Sequence, residues 1–140
     1  MKKSRLFFLA FIVLFLNLTW EFSHYRLYID LTGIPSTLHL LIASFTDLFL
    51  VFFIFLIVSV FRRSLSWIEN SRKLDYILVI ILGILISAII EIYSLLNGRW
   101  SYTNLMPTIF GIGISPLIQL FTTAILGLWI IKTKKSAKID

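Results

Sequence analysis

The sequence predicts an all-α fold, a polytopic integral membrane four-helix bundle built as a single domain over residues 1–140. Three observations predict it. The chain is 59% hydrophobic and only 14% charged, which is too apolar for a soluble domain of 140 residues. Its apolar residues form four long runs, each near the length of about 20 residues that a helix needs to cross a bilayer. Its lysines and arginines cluster between those runs.

The first run predicts a span over residues 6–27. It is apolar from Leu6 to about Leu18 and then becomes amphipathic. A basic start and an apolar middle also suit a secretory signal peptide, but the sequence NLTWEF that follows has no small-x-small cleavage site. We therefore expect this segment to remain in the protein as a span.

The second and third runs predict spans over residues 38–61 and 76–96, the second after the GIPST turn and the third with a stop at Asn97–Gly98. The connection between them reads RRSLSWIENSRKLD. Its apolar residues Leu65, Trp67 and Ile68 are expected to lie in the membrane interface, with the basic residues toward anionic lipid.

The fourth run predicts a span over residues 107–131 that is broken or re-entrant at its start. Pro107 suits a first helical turn, but Gly111, Gly113 and Pro116 weaken or break a helix. A helix from Pro116 to Ile131 would cover about 24 Å, short of the roughly 30 Å hydrocarbon core. We therefore expect an irregular entry over residues 105–115, covered by protein or lining a wet cavity.

The basic residues predict the orientation. Eleven of them fall on one side of the predicted spans, and only Arg26 and Arg99 fall on the other. Because lysine and arginine are enriched in cytoplasmic segments, both termini and the 62–75 loop are expected in the cytoplasm. The eleven are Lys2, Lys3, Arg5, Arg62, Arg63, Arg72, Lys73, Lys132, Lys134, Lys135 and Lys138.

Polar and aromatic residues concentrate at the non-cytoplasmic ends of the spans. On span one they recur at helical spacing and share one face if the helix continues to residue 28: Asn17, Trp20, Glu21, His24, Tyr25 and Tyr28. On span three Ser87, Glu91 and Ser94 share a face in the same way. The other spans and the loop before span four add the remaining members: His39, Asp47, Gln119, Arg99, Trp100, Tyr102 and Asn104.

Three of these residues are carboxylates, and they make the strongest functional signal. A carboxylate inside a bilayer costs a few kcal/mol, so it tends to face the bundle and find a partner. We expect a polar pocket open to the outer leaflet, with carboxylates partly protonated or paired with histidine or arginine. The candidate catalytic residues are Glu91, Glu21, His24 and Asp47. The candidate binding residues are Asn17, Trp20, Tyr25, Tyr28, His39, Arg99, Trp100, Tyr102 and Gln119.

Simpler interpretations stand beside this one. The tryptophans and tyrosines also suit an aromatic belt at the membrane interface, and the two arginines suit snorkelling to head groups. The buried acids also suit hydrogen bonds that hold helices together. Glu21 and His24 match one copy of the Glu-x-x-His motif of two-metal bundles, but such sites need two copies, so no metal site is predicted. No nucleotide-binding glycine motif is present, and no cofactor and no nucleic acid are predicted.

Residues 91–119 resemble part of the membrane-embedded carotenoid hydratases and lycopene-cyclase-like enzymes. The similarity consists of Glu91, Gly98, Tyr102, Pro107 and a segment from glycine to Pro116. The paired glutamates of the cyclases are absent, and SPLIQ stands in their place. The resemblance implies acid catalysis on an isoprenoid alkene, with Glu91 or Glu21 as the acid and aromatic rings shielding a carbocation.

The whole chain also resembles a group of small prokaryotic four-helix membrane proteins that carry W-E-x-x-H early and G-R-W-x-Y late. That likeness implies a multi-pass protein of a prokaryotic plasma membrane. It does not indicate any particular activity. Three functions therefore stay open: a pocket that binds and modifies a lipid or isoprenoid, an oligomeric transport or channel component, and an accessory subunit of a larger membrane complex. The expected partners are membrane lipids, a lipid or isoprenoid ligand, and a membrane-protein partner or a second copy of the chain.

Overall fold

The computed structural model describes residues 3–30 and 35–136, and within them it contains four long helices. They are α1 (Lys3–His24), α2 (Ser36–Arg62), α3 (Lys73–Leu96) and α4 (Ile114–Ser136). All four are long and apolar enough to cross a membrane, so the predicted all-α four-helix architecture is confirmed. The beginning of the GIPST turn, together with Lys2 and Lys138, lies outside the described residues.

Short strands connect the helices at one end of the bundle. A 3₁₀ turn (Tyr25–Leu27) leads into β1 (Tyr28–Asp30), which pairs antiparallel with β2 (Trp100–Tyr102). Strands β3 (Thr108–Ile109) and β4 (Ile112–Gly113) form a hairpin just before α4. We call this end of the bundle the aromatic end and the opposite end the basic end. None of these strands was predicted from the sequence.

The first span reaches Leu27, as predicted, with the α-helix ending at His24 and a 3₁₀ turn covering the last three residues. The condition for one helical face through Tyr28, a helix that continues to residue 28, is not met. Tyr28 instead pairs with Tyr102 across the β1–β2 ladder. A backbone that exchanges hydrogen bonds with a neighbouring strand cannot also make the i→i−4 bonds of a helix. Strand pairing therefore takes over where α1 stops.

The predicted interruption of the fourth span is confirmed, and it takes the form of the β3–β4 hairpin. Its two-residue turn places both Phe110 (φ 52°) and Gly111 (φ 79°) in the left-handed region, as the commonest hairpin turns require. Helix α4 then begins at Ile114, near the end of the irregular entry that was expected over residues 105–115. Pro116 falls in its first turn, where a backbone N–H has no helical partner to lose.

Asn97–Gly98 ends α3 as predicted and sends the chain into β2. Gly98 has φ 62°. Its N–H donates to the Leu95 carbonyl at 3.2 Å, and the Arg99 N–H donates to the Ser94 carbonyl at 3.0 Å. This pair of bonds is the Schellman arrangement that reverses a chain at a helix end. It turns the segment after α3 back across the aromatic end.

The apolar core occupies the middle and the basic end of the bundle. Helices α3 and α4 approach closely at Gly83, because glycine has no Cβ. A Cβ built there would lie only 2.9 Å from the Phe121 backbone nitrogen. The expectation that Trp67 and Ile68 lie in the membrane interface is wrong, since both are buried in this core. The Trp67 indole donates to Ser59 Oγ at 2.7 Å, which satisfies its one polar atom. Leu65 is exposed.

Candidate functional site

A cavity of about 280 Å³ lies at the aromatic end of the bundle. All four helices contribute to its wall, and so do strands β1 and β2. Ten of the thirteen residues that the sequence nominated for a pocket line it: Glu21, His24, Tyr25, Tyr28, His39, Asp47, Glu91, Arg99, Trp100 and Gln119. The structure therefore brings most of the nominated residues together. The roles assigned to them stay predictions.

The polar face of α1 is turned into the bundle. Asn17, Glu21 and His24 are buried, because spacings of four and three residues place them on one side of the helix. Trp20 lies at the edge of that face and does not line the cavity. Its indole nitrogen has no hydrogen-bond partner among the described residues.

The side-chain amide of Gln119 joins three helices at the floor of the cavity. Its nitrogen lies 2.7 Å from Glu21 Oε1 on α1 and 2.6 Å from Asp47 Oδ2 on α2. A third acceptor, Asn17 Oδ1, lies 3.3 Å from the same nitrogen. An amide nitrogen carries only two hydrogens, so three acceptors share two protons. Acceptors therefore outnumber the hydrogens of this amide, and two of the three belong to carboxyl groups.

His24 links the end of α1 to the start of α4. Its Nδ1 lies 2.7 Å from Ser115 Oγ, and its Nε2 lies 3.4 Å from Glu21 Oε2. The ring also packs against Tyr28, with centroids 5.3 Å apart. A histidine with a partner at both nitrogens has a defined ring orientation. It is the nearest basic group to the Glu21 carboxylate.

Glu91 faces inward beneath the segment that follows α3, as the sequence analysis expected for a carboxylate at membrane depth. Its carboxylate accepts hydrogen bonds from Tyr102 Oη, from the Trp100 indole at 3.3 Å and from Tyr28 Oη at 3.4 Å. The hydrogen-bond donors of Glu91 among the described residues are three aromatic side chains, and the carboxylate with a histidine partner is Glu21. Strand pairing explains this, since the β1–β2 ladder sets all three around α3.

Tyr102 does not line the cavity, but it is hydrogen-bonded to Glu91, which does. Its hydroxyl donates to Glu91 and accepts the backbone N–H of Gly113 at 2.9 Å, which ties the β3–β4 hairpin to α3. Burial and the hydrogen bond to Glu91 raise the pKa of Tyr102 above its ordinary value of 10.0. Burial and the charge of Glu91 raise the pKa of Tyr28 in the same direction. Both phenols are thereby kept as hydrogen-bond donors.

The remaining polar face of α3 also points inward, with Ser87, Glu91 and Ser94 all buried. Ser87 and Ser94 line the cavity. Buried serines in membrane helices usually bond the carbonyl four residues earlier. The hydroxyl of Ser87 has no hydrogen-bond partner within residues 3–30 and 35–136. A buried polar group left in this state carries a free-energy cost that a bound molecule can remove.

Arg99 and His39 stand at the rim. Arg99 is exposed, and its guanidinium lies 5.4 Å from the centre of the Tyr93 ring, within the range of a cation–π contact. No described ion pair joins it to a carboxylate of the cavity. The His39 ring lies 6.4 Å from that of Trp100.

Sequence reasoning missed two parts of the site. Ser115, which holds His24, was overlooked because a hydroxyl beside a proline is ordinary at a helix start. The apolar part of the wall was also missed, since its residues belong to uniformly apolar runs. It consists of Leu40, Ile42, Ala43, Leu50, Ile90 and Leu120. Together with the acids it makes the cavity amphipathic.

Across the described parts of the chain, no group of three or more His, Asp or Glu side chains is arranged to hold a metal ion. Comparison with protein-family models, with curated proteins and with solved structures finds no match. The resemblance to carotenoid hydratases and to small prokaryotic four-helix proteins therefore stays a prediction from the residues alone.

Proposed function

We propose that this protein is a multi-pass membrane protein that binds an amphipathic lipid or isoprenoid in the cavity at its aromatic end. The observation that carries the proposal is the composition of this one cavity. Its floor is polar and holds Glu21, Asp47 and Gln119, while its wall includes the apolar residues of α2 and α3. A site of this kind suits a molecule with a polar head and an apolar body.

Two cavity-lining residues of α2 that are also exposed outside the bundle support a lipid as the occupant. Ile42 and Thr46 on α2 line the cavity and are also exposed on the outside of the bundle. Helices α2 and α3 pack less closely than α1 with α2 or α3 with α4. The Thr46 hydroxyl donates to the Ile42 carbonyl at 2.9 Å, so its exposure to hydrocarbon leaves no polar group unpaired. A chain can therefore pass from the bilayer into the cavity.

The inward direction of the polar residues favours a binding pocket over the alternative of an accessory subunit. In that alternative, polar stripes would pack against the helices of a partner. Here Asn17, Glu21 and Glu91 are buried within the chain itself. The alternative of a transport or channel component draws support from the same acids, and proton or cation flux in liposomes would favour it.

The proposal includes an orientation. The basic end carries the 62–75 loop, the start of α1 and the end of α4, so it would face the cytoplasm of a prokaryotic cell. Two ion pairs hold this end together: Arg5 with Glu69 at 2.9 Å, and Arg62 with Asp75 at 3.3 Å. The cavity would then face the outer leaflet.

A chemical step on the bound isoprenoid is a second candidate function. The observation that favours it is the contact of Glu91 with Tyr28, Trp100 and Tyr102, which places one acid among three aromatic rings. A protonated Glu91 would give its proton to an alkene carbon, and the rings of Tyr28 and Trp100, which line the cavity, would stabilise the resulting carbocation. Return of a neighbouring proton to the carboxylate would shift the double bond without any co-reactant.

Lipids retained after gentle detergent extraction test the proposed function. The wild-type protein should carry one lipid class enriched over the bulk membrane, as measured by mass spectrometry. Ala43 lines the cavity, so Ala43→Phe should fill it and release that lipid. Ala10→Phe makes the same change on α1 outside the cavity and should retain it. Wild-type protein with the bulk lipid composition would contradict the proposal.

A further inference from the structure

We infer that the polar end of the bound molecule is an alkylammonium cation, held between Glu21, Asp47 and the aromatic wall of the cavity. The inference rests on the proposed function and narrows it to a class of ligand. Four features of the cavity lead to it: its charge, its surplus of acceptors, one unpaired hydroxyl and its rings.

Charge is the first feature. Three carboxyl groups line the cavity, those of Glu21, Asp47 and Glu91. Among the described lining residues, Arg99 is the one side chain with a permanent positive charge, and it is exposed at the rim against Tyr93. An anionic head group such as a phosphate would be repelled by each of these carboxyl groups that is ionised, with little screening away from bulk water. A cationic head group is favoured for the same reason.

The surplus of acceptors is the second feature. Glu91 already has three donors, so its needs are met within the protein. Asp47 is hydrogen-bonded to Glu21, and these two carboxyl groups share the Gln119 amide with Asn17. A hydroxyl head group would bring one donor to this point. A primary ammonium brings three, together with a charge opposite to that of the carboxylates.

Ser87 supplies an independent sign of a ligand. Its hydroxyl is buried, with the residue only 4% exposed, and lines the same cavity without a hydrogen-bond partner in the described residues. Buried polar groups are rarely left unpaired in folded proteins. The Ser87 oxygen is free to accept an N–H from a head group bound in the cavity that the carboxyl groups also line. The acids, the unpaired hydroxyl and the cavity therefore describe one site.

Aromatic rings complete the site. Tyr25, Tyr28 and Trp100 line the cavity, and the rings of Tyr28 and Trp100 meet edge to face at 6.1 Å. The faces of such rings attract ammonium groups, and walls of this type recognise alkylated amines. The volume of about 280 Å³ is small for a whole lipid. It suits a head group and the first carbons of its chain, with the remaining chain leaving between α2 and α3.

Four probes test the inference on wild-type protein in nanodiscs, with empty nanodiscs as the baseline for partitioning. They are dodecylamine, dodecanol, dodecyl phosphate and ethylamine, with the dodecyl compounds kept below the concentration at which they aggregate. Binding is followed by tryptophan fluorescence and by thermal stabilisation of the protein. Dodecylamine should bind at least about tenfold more tightly than dodecanol, and dodecyl phosphate should bind most weakly. This comparison needs no variant, so it does not depend on a mutant that folds.

Charge-removing variants locate the site. Asp47→Asn and, separately, Glu21→Gln should weaken dodecylamine about tenfold and change dodecanol by less than about twofold. Glu69→Gln is the matched control, because it removes a carboxylate at the basic end that pairs with Arg5. It should leave the dodecylamine affinity unchanged. Equal losses for Glu69→Gln and Asp47→Asn would overturn the assigned location.

The outcomes separate the inference from the function on which it rests. Dodecanol or dodecyl phosphate binding as tightly as dodecylamine would overturn the ammonium head group and leave lipid binding standing. Ethylamine binding as tightly as dodecylamine would support the ammonium site and overturn a lipid as its source. If none of the four probes binds above the empty-nanodisc baseline, both the inference and the proposed lipid site are wrong.

Discussion

Glu91 is held by three neutral aromatic donors, and this arrangement determines what a substitution there does. The carboxylate accepts a hydrogen bond from each of Tyr28, Trp100 and Tyr102. Glutamine has the same shape, but an NH₂ group replaces one of the two acceptor oxygens. The three neighbours are hydrogen-bond donors, so the hydrogens of this NH₂ group face no acceptor. At least one of the three donors then loses its partner.

We therefore predict that Glu91→Gln lowers the free energy of unfolding by about 1–3 kcal/mol, the usual cost of an unsatisfied buried donor. Thermal unfolding in detergent, followed by circular dichroism, measures the loss. Glu69→Gln, which changes a partly exposed acid at the basic end, is the control and should have little effect. An unchanged melting temperature combined with lost ligand retention would instead assign Glu91 to binding alone.

The two phenols around Glu91 predict a response to alkaline pH. Both Tyr28 and Tyr102 have a pKa above the ordinary value of 10.0 in the folded protein. A raised folded-state pKa means that the native protein holds its proton more tightly than the unfolded chain. The stabilisation is complete below about pH 10 and is lost as the pH rises above it.

Melting temperatures measured from about pH 8 to about pH 11 should therefore fall above about pH 10. The double variant Tyr28→Phe with Tyr102→Phe should be less stable at neutral pH but should show a shallower alkaline decline. It keeps every lysine of the wild-type chain, so lysine titration is common to both proteins. Parallel declines in the two proteins would refute a role for the tyrosines.

At the scale of elements, the helices depend on close approach and the connections on strand pairing. Gly83 allows α3 to pack against α4, because a Cβ there would lie 2.7 Å from Phe121 Cβ and 2.9 Å from its backbone nitrogen. Contacts below 3.0 Å require one helix to move. Gly98 differs, since a Cβ there would meet nothing within 4 Å and only its φ of 62° would be unfavourable.

We predict that Gly83→Ala destabilises the protein by about 1–3 kcal/mol through overpacking of the α3–α4 interface. Gly98→Ala should cost about 1 kcal/mol, from backbone strain alone. A second substitution at Phe121 tests the origin of the loss in Gly83→Ala. Adding Phe121→Ala keeps the Cβ at residue 121 and should not restore stability, whereas adding Phe121→Gly removes it and should restore part of the stability. Chemical unfolding in mixed micelles measures all four. Full rescue by Phe121→Ala would place the clash in the ring rather than at the backbone.

For the whole molecule, the distribution of charge predicts which end faces the cytoplasm. The chain has no cysteine, so single cysteines can be introduced without background. Asn104 at the aromatic end and Ser66 at the basic end are both exposed. Because the basic end is expected inside, a membrane-impermeant maleimide should label Asn104→Cys in intact cells. It should label Ser66→Cys only after permeabilisation. The reverse pattern would place the cavity in the inner leaflet.

The sequence by itself determined the number of helices and the end of the bundle that carries the site. Both follow from local patterns: apolar length fixes a spanning helix, and a spacing of three and four residues puts Asn17, Glu21 and His24 on one face. The interruption before α4 was also predictable, because its glycines and prolines act on the backbone where they stand. The end of α3 at Asn97–Gly98 was predictable for the same reason.

Only the tertiary structure decided how those faces meet. The contacts that build the cavity join distant residues: His24 reaches Ser115 across 91 positions, Gln119 reaches Asp47 across 72, and Tyr28 pairs with Tyr102. No local pattern encodes such partners, since they depend on which helices become neighbours and on the register of β1 with β2. The sequence could therefore nominate the acids, whereas packing alone gave Glu91 its aromatic donors and left Glu21 and Asp47 to share one amide.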